Sequence, residues 1–388
     1  MTTTPAATAA TATIDLEGPR SRPDHRGSWI PNGAMIVTRI MELRKRRGLM
    51  IALVVVNIGL PTLFLAVRLI AHAVDPRSYG PAGGYSTFTG LVAGAMYVFG
   101  FIVAATLGCT AGSADLTDGM FRHLVVTGRS RLALYLARIP AGLALIVPIV
   151  ATGFAVVCIV CCFAAPTTLN YDGATLPVGM SRTALVDWAA QHPGEVLCTF
   201  PGPVPFPYAC GPNGPVAPPG GVITGPGGQE VQIPGLAQVR AQAVHNAELD
   251  YADYSRQFLY PSVPLMVETG LWIELEAIIG FFVGLGLSSL LGQRTLAVIL
   301  MVVLELILTP IFSRTAIPHL INLQRGVVGL AMAHIEPGNL PLAFGGGNGP
   351  SGMRHLVPES TEAAICVIIG WLVVWTVVGA WRMSTRDA

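Results

Sequence analysis

Six stretches of this chain are apolar over lengths that match a lipid bilayer: residues 49–72, 87–110, 139–165, 266–291, 295–313 and 361–381. A helix needs roughly 20 apolar residues to cross the hydrocarbon layer. The expected fold class is therefore an all-α polytopic membrane protein with six transmembrane helices. The fifth stretch is the shortest, and Pro310, Ser313 and Arg314 blur its end. Charged residues make up 12% of the chain, about half the usual share of a soluble domain.

The basic residues orient the spans. The chain has one lysine, Lys45, and 22 arginines, the composition of a GC-rich genome. With the N-terminus inside, the segments 1–48, 111–138, 292–294 and 382–388 hold 15 of these 23 residues, and the cluster Arg44-Lys45-Arg46-Arg47 stands directly before the first span. Cytoplasmic loops carry such an excess, so both termini and the 111–138 loop are expected in the cytoplasm of a multi-pass plasma-membrane protein. Residues 1–33 are Ala-, Thr- and Pro-rich, with neither the basic start nor the apolar run of a signal peptide, and are expected to be disordered. A connecting helix is expected over 34–48. Net charge is +1, which suggests no nucleic-acid partner.

Residues 166–265, between spans three and four, are expected outside the cell. Ser181 is placed to cap a helix over 181–192, and 236–258 reads as a helix returning to the membrane. Between them, residues 201–235 contain ten Pro and nine Gly, a composition that supports neither a helix nor a central strand. Cys198 and Cys210 bracket part of this stretch. An oxidising outer compartment permits a disulfide between them; the alternative is two free thiols. A second outer segment, 314–360, repeats apolar residues at helical spacing over 317–335. It is too polar to span, which leaves an interfacial or re-entrant helix.

Motifs for chemistry on this chain are scarce. There is no Gly-Lys pair, so no P-loop, and HExxH, GxSxG and DDxxD are absent. No metal site is expected. Three cysteines in CIVCCF (158–163) allow soft-metal binding in principle, but buried cysteine usually packs as a small hydrophobe. Four polar residues stand out inside the spans. Asn57, followed by Pro61, marks a kink in span one. Glu274 and Glu276 open span four, with 276 on the face of Trp272 and 274 pointing elsewhere; they are placed to line an outer vestibule, while Glu268 sits near the interface. Glu305 lies within span five, where a carboxyl costs about 2.5–3.5 kcal/mol on insertion scales. It belongs either to a substrate path or subunit interface, or to a locally hydrogen-bonded or protonated group.

The loop Asp115-Leu-Thr-Asp118-Gly-Met-Phe-Arg-His-Leu-Val-Val-Thr-Gly-Arg-Ser-Arg-Leu-Ala-Leu-Tyr-Leu-Ala-Arg138 is unlike the rest. Asp115 or Thr117 is placed to cap a short helix, with Phe121, Leu124 and Val125 on one side and Arg122 and His123 away from it. Gly128 ends that helix, and Arg129-Ser130-Arg131 leads into span three. A charged turn that anchors helix ends accounts for the arginines but not for helix-Gly-helix with Phe at its centre.

This pattern resembles the cytoplasmic loop of type-2 ABC exporter permeases: an acidic residue, Gly, hydrophobic-Arg, an apolar run, hydroxyl-Arg, and a basic residue before the next span. Asp118, Gly119, Phe121, Arg122, Thr127, Ser130, Arg131 and Arg138 carry it, together with the six-span layout and the helical segments at 35–47 and between spans five and six. Two features depart from the family. Its glutamate is Asp118 or Asp115 here, and the outer segment of about 100 residues is not a standard part. The resemblance implies a coupling helix seated in a separate ATPase subunit, with Phe121 as the knob and Arg122, Arg129 and Arg131 paired to acidic groups. It implies two permease chains per transporter, identical or from a sister gene, no cofactor on this chain, and ATP and Mg on the partner. Two other readings stay open: a non-catalytic membrane partner or sensor displaying residues 166–265, and a membrane enzyme acting on lipid-linked substrates.

Overall fold

The computed structural model describes residues 29–75, 79, 82–117, 130–165, 169–171, 174–199, 210–211, 214–215, 217–224, 228–258, 261–304, 307, 309–314, 317–337 and 357–385. Five helices among them are long and apolar enough to cross a membrane: α2 (Arg47–Val74), α3 (apolar span Thr87–Ala114), α4 (Arg131–Phe163), α8 (Val263–Leu291) and α13 (Thr361–Thr385). The protein is thus helical and polytopic. In the region of the fifth apolar stretch the structure describes α9 (Arg294–Val303) and α10 (Thr309–Arg314), while 305, 306 and 308 lie outside the described residues. The helix α1 (Gly33–Lys45) precedes the first span and packs along α4; Asn32 caps it by accepting from the Met35 N–H at 3.0 Å. Of the expected tail 1–33, residues 1–28 lie outside the described residues, and Gly33 already belongs to α1.

The centre of the bundle is the pair α3–α8, with α4 and α13 packed on α8 and α9 on α3. Glycines set this arrangement. Gly108 and Gly112 of α3 lie against the Phe281 and Leu285 carbonyls of α8, and Gly280 and Gly284 of α8 lie against the Phe101 and Ala105 carbonyls of α3. A Cβ at Gly280 would stand 2.7 Å from the Phe101 carbonyl oxygen, well inside contact distance. Lipid gives two apolar helices no hydrophobic reason to associate, so close backbone packing over small residues is the driving term. The other seams follow the same rule. Gly142 of α4 receives the Phe281 ring, Gly286 of α8 abuts the Trp375 carbonyl of α13, and Gly379 of α13 abuts the Tyr135 hydroxyl.

Span α2 is not a regular helix. Residues Val55–Gly59 form a π-turn, and Asn57 within it is buried and donates from Nδ2 to the Leu53 carbonyl at 3.0 Å. The bulge brings the Asn57 carbonyl onto Gly153 of α4. The irregularity expected from Asn57 and Pro61 is therefore a backbone bulge centred on Asn57, with Pro61 in the turn after it.

Residues 169–258 form a second body with its own core at the end of the bundle where α4 closes and α8 opens. Helices α5 (Arg182–Gln191) and α6 (Pro193–Thr199) pack on α7 (Leu236–Phe258) around Leu185, Val196, Ile233, Val239, Ala243 and Tyr254. Ser181 caps α5, its hydroxyl accepting from the Ala184 N–H at 3.2 Å. The Tyr254 hydroxyl donates to the Pro177 carbonyl and that of Tyr251 to the Met180 carbonyl. The Pro/Gly stretch holds two antiparallel hairpins, β3 (Cys210–Gly211) with β4 (Gly214–Pro215) and β5 (Val222–Thr224) with β6 (Glu230–Gln232). They follow the earlier hairpin of β1 (Leu169–Tyr171) with β2 (Ala174–Leu176).

The apolar stretch 317–335 is broken in two at Gly326. Helices α11 (Ile321–Arg325) and α12 (Val328–His334) follow one another, with α12 against α13. Residues 328–333 are all buried, and three polar side chains tie the pair down. Trp272 Nε1 donates to the Met332 carbonyl at 3.0 Å, Trp371 Nε1 to the Gly326 carbonyl at 2.8 Å, and buried Gln324 donates to the Phe312 carbonyl at 2.9 Å.

Candidate functional site

The loop between α3 and α4 lies between two described helix ends. The helix of α3 continues to Thr117, so Asp115 lies inside it rather than at the start of a following helix. Thr117 is the last residue of that helix, and whatever it would cap lies outside the described residues. Asp118, Gly119, Phe121, Arg122, Thr127, Gly128 and Arg129 lie outside the described residues. On the far flank Ser130 caps α4, its hydroxyl accepting from the Ala133 N–H at 3.0 Å. Arg131 donates from Nη1 to the Ser384 carbonyl at 3.3 Å, at the C-terminal end of α13, where a cation also meets the helix dipole favourably. Arg138, 2% exposed, donates from Nη1 to the Gly112 carbonyl at 2.9 Å. The arginines at 131 and 138 thus tie α4 to the ends of α13 and α3.

The intramembrane polar residues fall on different seams. Asn57 sits between α2 and α4, with Gly100 of α3 also beside it. Glu276, 2% exposed, shares a buried face of α8 with Thr269 and Trp272, and Trp272 stacks on Tyr97 of α3 with ring centroids 5.0 Å apart. Glu274 faces α4, with its carboxyl shielded from solvent beside the backbone of Ala151. Glu268 is exposed. Glu305 lies outside the described residues. Glu274 and Glu276 thus lie on different faces of α8, with Glu276 on the face of Thr269 and Trp272.

Cys198 and Cys210 are joined, with S–S 2.12 Å and Cα atoms 5.5 Å apart, and tie α6 to the β3–β4 hairpin. The other five cysteines are free thiols. Cys161 is buried in the bundle core, and Cys162 Sγ lies 3.9 Å from Met266 Sδ of α8. Among the described residues no group of three or more His, Cys, Asp and Glu is arranged to hold a metal ion.

Sequence reasoning misses two features. The facing pair Gly108-x-x-x-Gly112 and Gly280-x-x-x-Gly284 is legible as two GxxxG repeats. The second is an acidic group beside α12. Glu359, buried, lies 3.9 Å from His334 Nδ1, which itself contacts the Leu330 carbonyl at 2.9 Å. Glu336, two residues beyond His334, is pushed up from 4.5 to about 8 by burial. The run His334-Ile-Glu336-Pro marks the place but not its burial.

Compared with known proteins, the chain matches no family model, no curated protein and no solved structure.

Proposed function

We propose that this chain is the membrane-spanning permease subunit of an ABC exporter, driven by a separate ATPase subunit that docks on the 118–129 loop. One observation carries the reading: the motif of acidic residue, Gly, Phe-Arg and Ser-Arg sits between two helix ends that are clamped together. A force applied to the loop would pass through Ser130 and Arg138 directly into α4 and α3. Helix α3 is half of the tightly packed central pair, so a push on the loop would move α8 with it. Both termini would be cytoplasmic and the 169–258 body extracytoplasmic, as the arginine bias suggests. The working transporter would contain two permease chains. ATP and Mg would reside on the partner, in keeping with the missing Gly-Lys pair.

The separate core of the 169–258 body supports a second reading, a non-catalytic membrane partner that displays this body for recognition. A mild-detergent pull-down from the native membrane separates the two. The permease reading expects a stoichiometric P-loop subunit that is lost on Phe121→Asp. Partners that bind only the 169–258 body would favour the display reading.

A further inference from the structure

Helices α4 and α8 meet at the end of the bundle that carries the 169–258 body. Two contacts fix their antiparallel register there. Cys162 Sγ lies 3.9 Å from Met266 Sδ, and Gly270 lies against the Phe154 ring. Cys158 falls between these contacts, one turn before Cys162 and on the same face of α4. The two cysteines are close enough to interact electrostatically. Both are free thiols, and they and Met266 are half-buried, so the group is packed yet reachable. Cys161, between them in sequence, is fully buried on a neighbouring face and stands outside the group.

Two thiols and a thioether thus converge from two helices. The set differs from the His, Cys, Asp and Glu groups considered above because its third donor is a methionine. Every donor is sulfur, which hard cations such as Ca and Mg do not use. Thiolate together with thioether selects Cu(I). The spacing agrees. A three-coordinate ion with bonds of about 2.3 Å, the zinc–thiolate length, holds its sulfurs about 4 Å apart. A bare ion needs only the gap between the side chains, and Met266, with three rotatable bonds, can turn its sulfur onto it. Each thiol gives its proton to water as its sulfur bonds the metal, and the oxidation state of copper does not change. Two thiolates with one Cu(I) leave a single negative charge, and the Arg68 guanidinium of α2 acts electrostatically on adjacent Cys161. We propose that Cys158, Cys162 and Met266 form a binding site for one Cu(I) ion. The site does not rest on the permease reading.

The test transfers Cu(I) from its coloured bicinchoninate complex to the full chain in nanodiscs, with empty discs subtracted. Ascorbate keeps the copper reduced and leaves the Cys198–Cys210 disulfide closed. The expected result is one equivalent of copper per chain, with only sulfur neighbours in X-ray absorption. Cys158→Ser and Cys162→Ser should each weaken uptake at least tenfold. Met266→Leu conserves volume, which guards against misfolding, and should also weaken it about tenfold. Cys366→Ser, at an exposed position of α13, should leave uptake unchanged. No uptake by the wild type, wild-type affinity in any of the first three variants, weakened uptake in Cys366→Ser, or oxygen or nitrogen neighbours at the metal overturns the proposal. The assay contains no ATPase, so its failure is distinct from failure of the permease reading, which the pull-down decides.

Discussion

Arg138 reaches from the first turns of α4 to the Gly112 carbonyl of α3 at 2.9 Å, while itself 2% exposed. The bond bridges the two helices that flank the 118–129 loop. A hydrogen bond from a charged group contributes about 1.5–3 kcal/mol, while the Gly112 carbonyl stays within the helical run of α3. Arg138→Leu should therefore lower the thermal midpoint in detergent and open the loop to proteolysis between 118 and 129. Unchanged cleavage would show that the clamp does not hold the loop.

The central helix pair has no room for side chains at its glycines. Gly284→Val must push Ala105 of α3 away, and Gly108→Val must push the backbone at Phe281. Overpacking of this kind typically costs about 1–3 kcal/mol, and more where backbones are forced apart. Both variants should fail to give a monodisperse peak in size-exclusion chromatography. Gly370, where an added Cβ would meet nothing within 4 Å, is the control. Gly370→Ala should change stability by no more than about 1 kcal/mol, in the direction of helix propensity.

The disulfide between Cys198 and Cys210 spans a sequence separation of 12 and fastens the β3–β4 hairpin to α6. Closing a loop of this size typically stabilises by about 2–4 kcal/mol. Cys198→Ser with Cys210→Ser should lower the stability of the 169–258 body, seen as faster proteolysis there, while α3 and α8 stay protected. Equal protection of both regions with and without reductant would contradict the assignment.

Burial holds the Glu336 carboxyl up from 4.5 to about 8. The folded chain therefore keeps this proton over a range in which the unfolded chain has released it. By linkage, its contribution to stability is fully present below about 4.5 and is lost as pH rises through about 8. Wild type should lose stability relative to Glu336→Gln across that window. A parallel pH profile for the two proteins would remove the burial argument.

Much of the architecture is legible in the residues alone. The helix over 236–258 and the Ser181 cap follow from periodicity and one hydroxyl. The five long spans follow from apolar length. What is not legible depends on partners distant in sequence. The π-turn around Asn57 lays its carbonyl on Gly153 of α4, a contact across almost a hundred residues. The placement of Glu274 and Glu276 on different faces follows from helical spacing, but which neighbour each meets does not. Helix α6 is hidden because Pro193 and Gly194 open it, although Pro is at home in a first turn. The short hairpins in the Pro/Gly stretch are two-stranded, so proline there interrupts no central ladder.

On the proposed function, residue 121 touches an ATPase subunit. The direct test places a photoreactive amino acid at Phe121 in native membranes, irradiates, and identifies the adduct by mass spectrometry. Position Phe163, at the opposite end of α4 and exposed on the bundle surface, serves as the control. The account expects a covalent adduct from position 121 to a P-loop ATPase subunit and none from 163. Lipid adducts alone from 121, or the same protein captured from both positions, would contradict it.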